Sequence, residues 1–295
     1  MERRDFLKTT AAAGLAVMCP RISVAEQEKL PDLVVAKGAD PAKITVAAVA
    51  ALGGMGRFVK KGEVVVVKPN IGWDRAPEFA ANTNPFVVGA VVKMCIDAGA
   101  KKVKVFDNTC NNAKRCYANS GIAAEAQKMG AEVSFVEERK FREVDIRGTT
   151  LKKWAIYQDA LEADKIINVP VAKQHGLSRL TLSMKNMMGV MGGKRGKLHG
   201  SIDEYLVDMA RFMKPSLVIL DAVRILVAHG PTGGDLKDVR KLDTVIAGTD
   251  MVAIDAYGAT LFGLKGTDLG YVRLGAAAGV GRMDIGNMKI SMISA

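Results

Sequence analysis

The sequence predicts an α/β architecture: a mostly parallel sheet flanked by helices, in one compact unit or in two lobes. Three observations predict it. Short apolar, β-branched runs alternate with stretches of helical periodicity. Each run passes at once into polar residues. Helix-starting signals stand where crossover helices would begin.

Val64-Val65-Val66-Val67 reads as a buried strand, stopped by the proline of Lys68-Pro69-Asn70. Asn84 then caps a helix with Pro85 in its first turn. Val87, Val88, Val91, Val92, Cys95 and Ile96 form its apolar face, and Gly99 ends it. Val103 to Phe106 is a second strand ending at Asp107. Helix 122–129 and strand 133–136 complete a β-α-β-α-β pattern, which calls for right-handed crossovers. The second half repeats the theme. Strands 165–169, 217–220 and 242–247 alternate with helices 181–188, 202–213 and 251–262, the last capped by Asp250. The glycine-rich stretch 189–200 is the most flexible interior segment by composition. In such sheets ligands gather beyond the strand C-termini. The residues there are Lys68-Pro69-Asn70, Asp107 to Cys110, Pro170 to His175, read as a loop, and Asp221.

Residues 1–25 read as a twin-arginine signal: Arg3-Arg4-Asp5-Phe6-Leu7-Lys8, a mildly apolar run, then Ser23-Val24-Ala25 as a cleavage site. The expectation is export of a folded chain to the periplasm, with residues 26–295 as the α/β domain. Cys19 lacks the preceding small residue of a lipoprotein site. The chain has 295 residues and a formal charge of +11; residues 1–25 hold four basic and two acidic side chains, so the rest carries +9. This excess favours anionic partners. Only 5% of residues are aromatic and the basic residues are scattered, which argues against nucleic acid. No stretch beyond the signal is long and apolar enough for stable membrane insertion.

Two groups of residues could carry chemistry. Cys110 and Cys116 are six positions apart, which on one helix would put them on different faces, so to act together they need a loop. Lys114 and Arg115 favour thiolates. A disulfide worth about 2 kcal/mol, two unrelated thiols, and metal ligation are all open readings. Cys95 falls among core positions, so one chain cannot complete a four-cysteine set; an isologous homodimer can. The second group is Lys68, Asn70, Lys173, His175, Lys185 and Asn186, cations and amide donors suited to a carboxylate or phosphate, with His175 as an acid or base. Helical spacing would put Thr181 and Lys185 one turn apart. The motifs of P-loops, dinucleotide folds, zincins and nucleophile elbows do not occur.

Val67-Lys68-Pro69-Asn70, Lys173-Gln174-His175, Lys185 to Gly189, Gly230-Pro231 and Gly248 to Ala256, in this order, resemble the DUF362 family over roughly residues 64–264. The resemblance implies a redox-associated protein with a subunit-bridging [4Fe–4S] cluster, which Cys110 and Cys116 would match. The leading expectation is therefore an exported homodimeric electron-transfer protein with an unidentified redox partner. The alternative is an enzyme or binding protein for a small anionic metabolite.

Overall fold

The computed structural model describes residues 30–295; the twin-arginine segment and Cys19 lie outside them. The strands are β1 (Leu33–Lys37), β2 (Val64–Pro69), β3 (Lys102–Val105), β4 (Glu132–Val133), β5 (Phe141–Asp145), β6 (Lys153–Tyr157), β7 (Lys165–Val169), β8 (Val171–His175), β9 (Arg179–Thr181), β10 (Leu217–Leu226), β11 (Val239–Gly248) and β12 (Ile290–Ser294). The helices are α1 (Pro41–Ala51), α2 (Pro85–Asp97), α3 (Ala113–Asn119), α4 (Ile122–Lys128), α5 (Gln158–Leu161), α6 (Ser183–Asn186), α7 (Ile202–Phe212), α8 (Met251–Thr260) and α9 (Gly270–Ala277).

One sheet runs in the order β12-β1-β11-β10-β7-β2-β3-β4, with β8 beside β10 and β9 beside β8. The segment β10-β7-β2-β3-β4 is parallel throughout. β11 runs antiparallel to both of its neighbours, and so does β9 to β8. β2 shows why the sheet is covered on both faces. Its side chains alternate: Val65 and Val67 enter the core beneath α1, α2 and α4, while Val66 enters the core shared with α6 to α9. Lys68 follows Val66 on that second face, and from there reaches α6.

From β2 the chain winds outward through β3 to β4, then returns to the other side of β2 as β7 and continues to β10. The strand order therefore reverses between β2 and β7. Parallel sheets open a crevice at such a point, outside the strand C-termini. Lys68 and Asn168 are direct register partners there, at the ends of β2 and β7.

The expected caps are in place: Asn84 Oδ1 accepts from the Phe86 amide at 2.9 Å, and Asp250 Oδ1 from the Ala253 amide at 3.0 Å. Four local expectations change. The expected helix 181–188 is split: Thr181 ends β9, α6 is a single turn, and Met187–Val190 tightens into a 3₁₀ turn. Residues 171–175 form β8 and are not a loop, since the strand continues after Pro170 beside β10. The strand expected over 133–136 shrinks to Glu132–Val133 at the sheet edge. Cys116 lies inside α3, because Asn112 accepts from the Arg115 amide at 3.2 Å and starts the helix early.

The hairpin β5-β6 forms a separate two-stranded sheet over the second face. It holds the glycine-rich stretch: Trp154 Nε1 donates to the Gly192 carbonyl at 2.9 Å, and the Gly192 amide donates to the Ala155 carbonyl at 2.8 Å. This stretch, expected from composition alone to be flexible, forms one wall of the crevice.

Candidate functional site

The crevice at the strand reversal opens into a cleft of about 710 Å³. Lys68, Asn70, Lys173, His175, Lys185 and Asn186, the six candidate anion-binding residues, all line it, although they come from β2 and the loop after it, β8 and α6, spread over more than a hundred positions. Cys110 stands at the same cleft.

Its floor is a closed polar network. Lys68 is fully buried; its Nζ lies 2.9 Å from Asp107 Oδ1, and donates to Asn186 Oδ1 at 3.1 Å and to the Pro69 carbonyl at 2.9 Å. Asn186 Nδ2 donates to Asn168 Oδ1 at 2.8 Å and to the Lys68 carbonyl at 3.2 Å, and its Oδ1 also accepts from Asn70 Nδ2 at 3.2 Å. The second oxygen of Asp107 accepts from the Ile71 amide at 2.7 Å. Burial pushes the Lys68 ammonium below its ordinary range, and the Asp107 carboxylate opposes that shift. Gly189 covers the pair closely: a Cβ there would overlap both Asp107 Oδ1 and Lys68 Nζ, so only glycine fits.

Above the floor the cations are not neutralised. Lys173 is buried; its Nζ donates to Asn70 Oδ1 at 3.2 Å and to the Ala81 carbonyl, and lies 5.9 Å from the centre of the Trp73 ring. Burial, with the charges of Lys185 and Lys68 adding to it, lowers Lys173 to about 7. Lys185 is half-buried, reaches only the Met188 sulfur at 3.8 Å, and is lowered by burial to about 8. Arg195 is held on backbone carbonyls, donating to Thr109 O at 3.1 Å and Met188 O at 3.3 Å. Among the described residues none of these three cations makes an ion pair. Asp107, the one carboxylate among the described residues lining the cleft, is already engaged by Lys68.

His175 accepts at Nδ1 from the amides of Leu177 and Ser178, at 3.1 and 3.3 Å. Nδ1 is therefore unprotonated and Nε2 carries the hydrogen. Burial and the Lys185 charge lower this imidazole to about 3, so it stays neutral. The His199 ring stacks on it with centroids 5.9 Å apart. Thr181, opposite Lys173 in the β8–β9 register, places a buried hydroxyl at the cleft with no hydrogen-bond partner among the described residues.

Sequence reasoning missed Asn168, Arg195 and the role of His199. Asn168 alone was legible, as the one polar residue in the run Ile166 to Val169; Arg195 and His199 arrive through a glycine-rich segment with no periodic signal. It also missed how the motifs support one another. Asp255 of α8 accepts from the Ser183 and Met184 amides at 2.7 and 3.0 Å, fixing the start of the turn that carries Lys185 and Asn186. Burial pushes this carboxyl up to about 7. Asp221, raised to about 6 by burial, accepts from the Asn84 amide at 2.7 Å and fixes the start of α2.

The cysteines are not displayed alike. Both are free thiols, Cys110 exposed and Cys116 fully buried. The Cys116 sulfur lies 3.7 Å from the Gly72 carbonyl, and burial raises its thiol pKa. A cluster shared across a two-fold axis requires all four sulfurs at the interface; here one of each pair is covered by its own chain. Among the described residues no three His, Cys, Asp or Glu side chains gather as a metal site. Cys95 is a core residue, its thiol pushed up to about 12 by burial.

A family profile described as "Domain of unknown function (DUF362)" matches residues 65–260. The chain belongs to the DUF362 family. All five DUF362-like motifs recognised in the sequence fall within those limits, and together they build the cleft and its supports. This DUF362 chain is 31% identical over 212 residues to the thylakoid-associated protein sll1697 of Synechocystis sp.. That alignment takes in 69% of this chain and 64% of the relative, so the chain spans less than two thirds of the relative's length. Among solved structures it is similar to the lactate racemase apoprotein from Thermoanaerobacterium thermosaccharolyticum, with a TM-score of 0.46, 11% identity, and 73% and 54% of the two chains covered. It is also similar to a structural-genomics protein from Thermotoga maritima, with a TM-score of 0.45, 10% identity, and 77% and 60% covered.

Proposed function

We propose that this DUF362 protein binds a small organic anion in the cleft at the β2–β7 reversal and acts on it there. One observation carries the reading: among the described residues Lys185 and Arg195 face one cavity without a carboxylate to pair with, beside a Lys173 that has only neutral acceptors. Buried charge without a counter-ion is costly, and an incoming carboxylate or phosphate supplies the missing charge. Trp73, Met188 and Pro231 line the same cleft and suit a carbon skeleton. Lys173 and Lys185, titrating near neutrality, can exchange protons with such a ligand, and His175 can donate from Nε2.

The test is a thermal-shift panel of small carboxylates and phosphates. A ligand at a hundred times its Kd stabilises by about 2.7 kcal/mol, and Lys185→Met should cut that rise by about half or more without unfolding the protein. If no anion raises the Tm of the intact protein, the reading fails.

A second reading keeps the cysteines. Cys110 is an exposed free thiol at the mouth of the cleft, open to a metal. On this reading the protein is an exported periplasmic homodimer holding a [4Fe–4S] cluster for electron transfer, and Cys116 must be uncovered on assembly. Iron and sulfide content after anaerobic purification, at half a cluster per chain, is its test. Iron-free protein with intact thiols would sink it.

A further inference from the structure

We infer that Lys173 is a nucleophile that forms an imine with the carbonyl carbon of a small 2-oxo acid held in the cleft. The inference rests on the anion-binding reading above and names its substrate class. Two acceptors face Lys173 Nζ, Asn70 Oδ1 at 3.2 Å and the Ala81 carbonyl. A neutral amine has two N–H groups, so both are taken and the lone pair is left for the cleft. Among the described residues no carboxylate lies on the nitrogen to hold it as an ammonium. A lysine desolvated in this way, beside a second cation, is an activated nucleophile, and its depression to about 7 agrees with that state.

The surroundings fit the rest of the reaction. Lys185 lies close enough for its charge to depress Lys173 and, lowered only to about 8, is protonated at neutral pH. Together with Arg195 it supplies the charge a carboxylate needs, and it is also a proton source. The Thr181 hydroxyl, across the hairpin register from Lys173 and unpartnered among the described residues, is a further hydrogen-bonding group at this end of the cleft.

In the step itself, the Nζ lone pair attacks the carbonyl carbon and a C–N bond forms. The C=O π pair moves to oxygen, which takes a proton from Lys185. The nitrogen gives a proton to the Lys185 amine just formed. The hydroxyl then takes that proton and leaves as water while the nitrogen pair closes the C=N bond. The net change is amine plus oxo acid to protonated imine plus water, with Lys185 left neutral. No oxidant or reductant is consumed.

The experiment treats the full chain with pyruvate and sodium cyanoborohydride and maps the reduced adduct by mass spectrometry. A single adduct on Lys173 is expected, absent from Lys173→Arg. In Lys185→Ala, which retains the nucleophile, labelling of Lys173 should be roughly a hundredfold slower. The matching 2-hydroxy acid cannot form an imine and should raise the Tm without an adduct. A Tm rise with pyruvate, but with label only on exposed lysines, overturns the imine and leaves the anion site standing. Neither a rise nor an adduct overturns both.

Discussion

Lys68 and Lys185 line the same cleft and meet opposite fates. Lys68 is completely buried yet fully provided for, with a carboxylate at 2.9 Å and two further acceptors. Lys185 is less buried but touches no oxygen among the described residues, and Lys173 has only neutral acceptors there. Satisfied buried charge is architecture: it fixes the ends of β2, β3 and α6 against one another. Unsatisfied charge is a standing cost that only a ligand removes, and it separates the working part of the cleft from its scaffold.

That contrast can be broken from its strong end first. Lys68→Met leaves Asp107 buried without its counter-ion, and breaking such a pair should cost about 3–5 kcal/mol, read from urea denaturation. Gly189→Ala forces a methyl group against the same pair, hardest against Asp107 Oδ1, and should cost about 1–3 kcal/mol. Neither effect needs a ligand.

The unsatisfied lysines should show themselves through pH. Their folded values, about 7 for Lys173 and about 8 for Lys185, lie below the ordinary 10.5, so the unfolded chain binds protons that the folded chain has shed. Stability should therefore rise with pH from about 7 towards 9, by up to about 1.4 kcal/mol per pH unit for each lysine. Above 9.0 the buried Cys95 thiol, held protonated only in the fold, begins to work against this. A saturating anion should flatten the slope, and Lys173→Met should remove its own share. A flat profile in the free protein would erase the distinction between the two kinds of lysine. The smallest change expected is in Lys185→Met without ligand. Its stability should not fall and should rise if anything, because the variant removes a charge with no counter-ion, while anion affinity falls at least about tenfold, or ~1.4 kcal/mol.

Much of the scaffold was legible because its signals are local. The valine run of β2, the Asn84-Pro85 start of α2 and the Asp250 cap of α8 each specify an element within a few residues. The six anion-site residues were legible as a set because polar residues directly after apolar strands are aimed at the crevice. What escaped has one physical cause. β8 carries Lys173 and His175 where a core strand would carry valine, so its composition reads as a loop although its backbone is paired. The turn of α6 is too short for periodicity to report and is held instead by Asp255, more than seventy residues away in sequence. Cys110 and Cys116 need a common loop to act together, but the Asn112 cap starts α3 early and takes Cys116 into the helix. Which lysine has a carboxylate beside it depends on Asp107 meeting β2 across the sheet, and no spacing records that.

β8 also works as a two-sided ruler. Lys173 and His175 face the cleft, while Gln174 between them faces the other way, its side-chain carbonyl accepting from the Gly230 amide at 2.7 Å. The main chain of Gly230 comes so near the Gln174 carbonyl that no side chain fits there. Alternate positions of one short strand thus have separate duties, one to meet the ligand and one to moor the Gly230-Pro231 lip of the cleft. A lineage could reshape that lip by changing residue 174 and its contacts while the reacting groups stay in register. Insertion of a single residue would exchange the two duties and silence both.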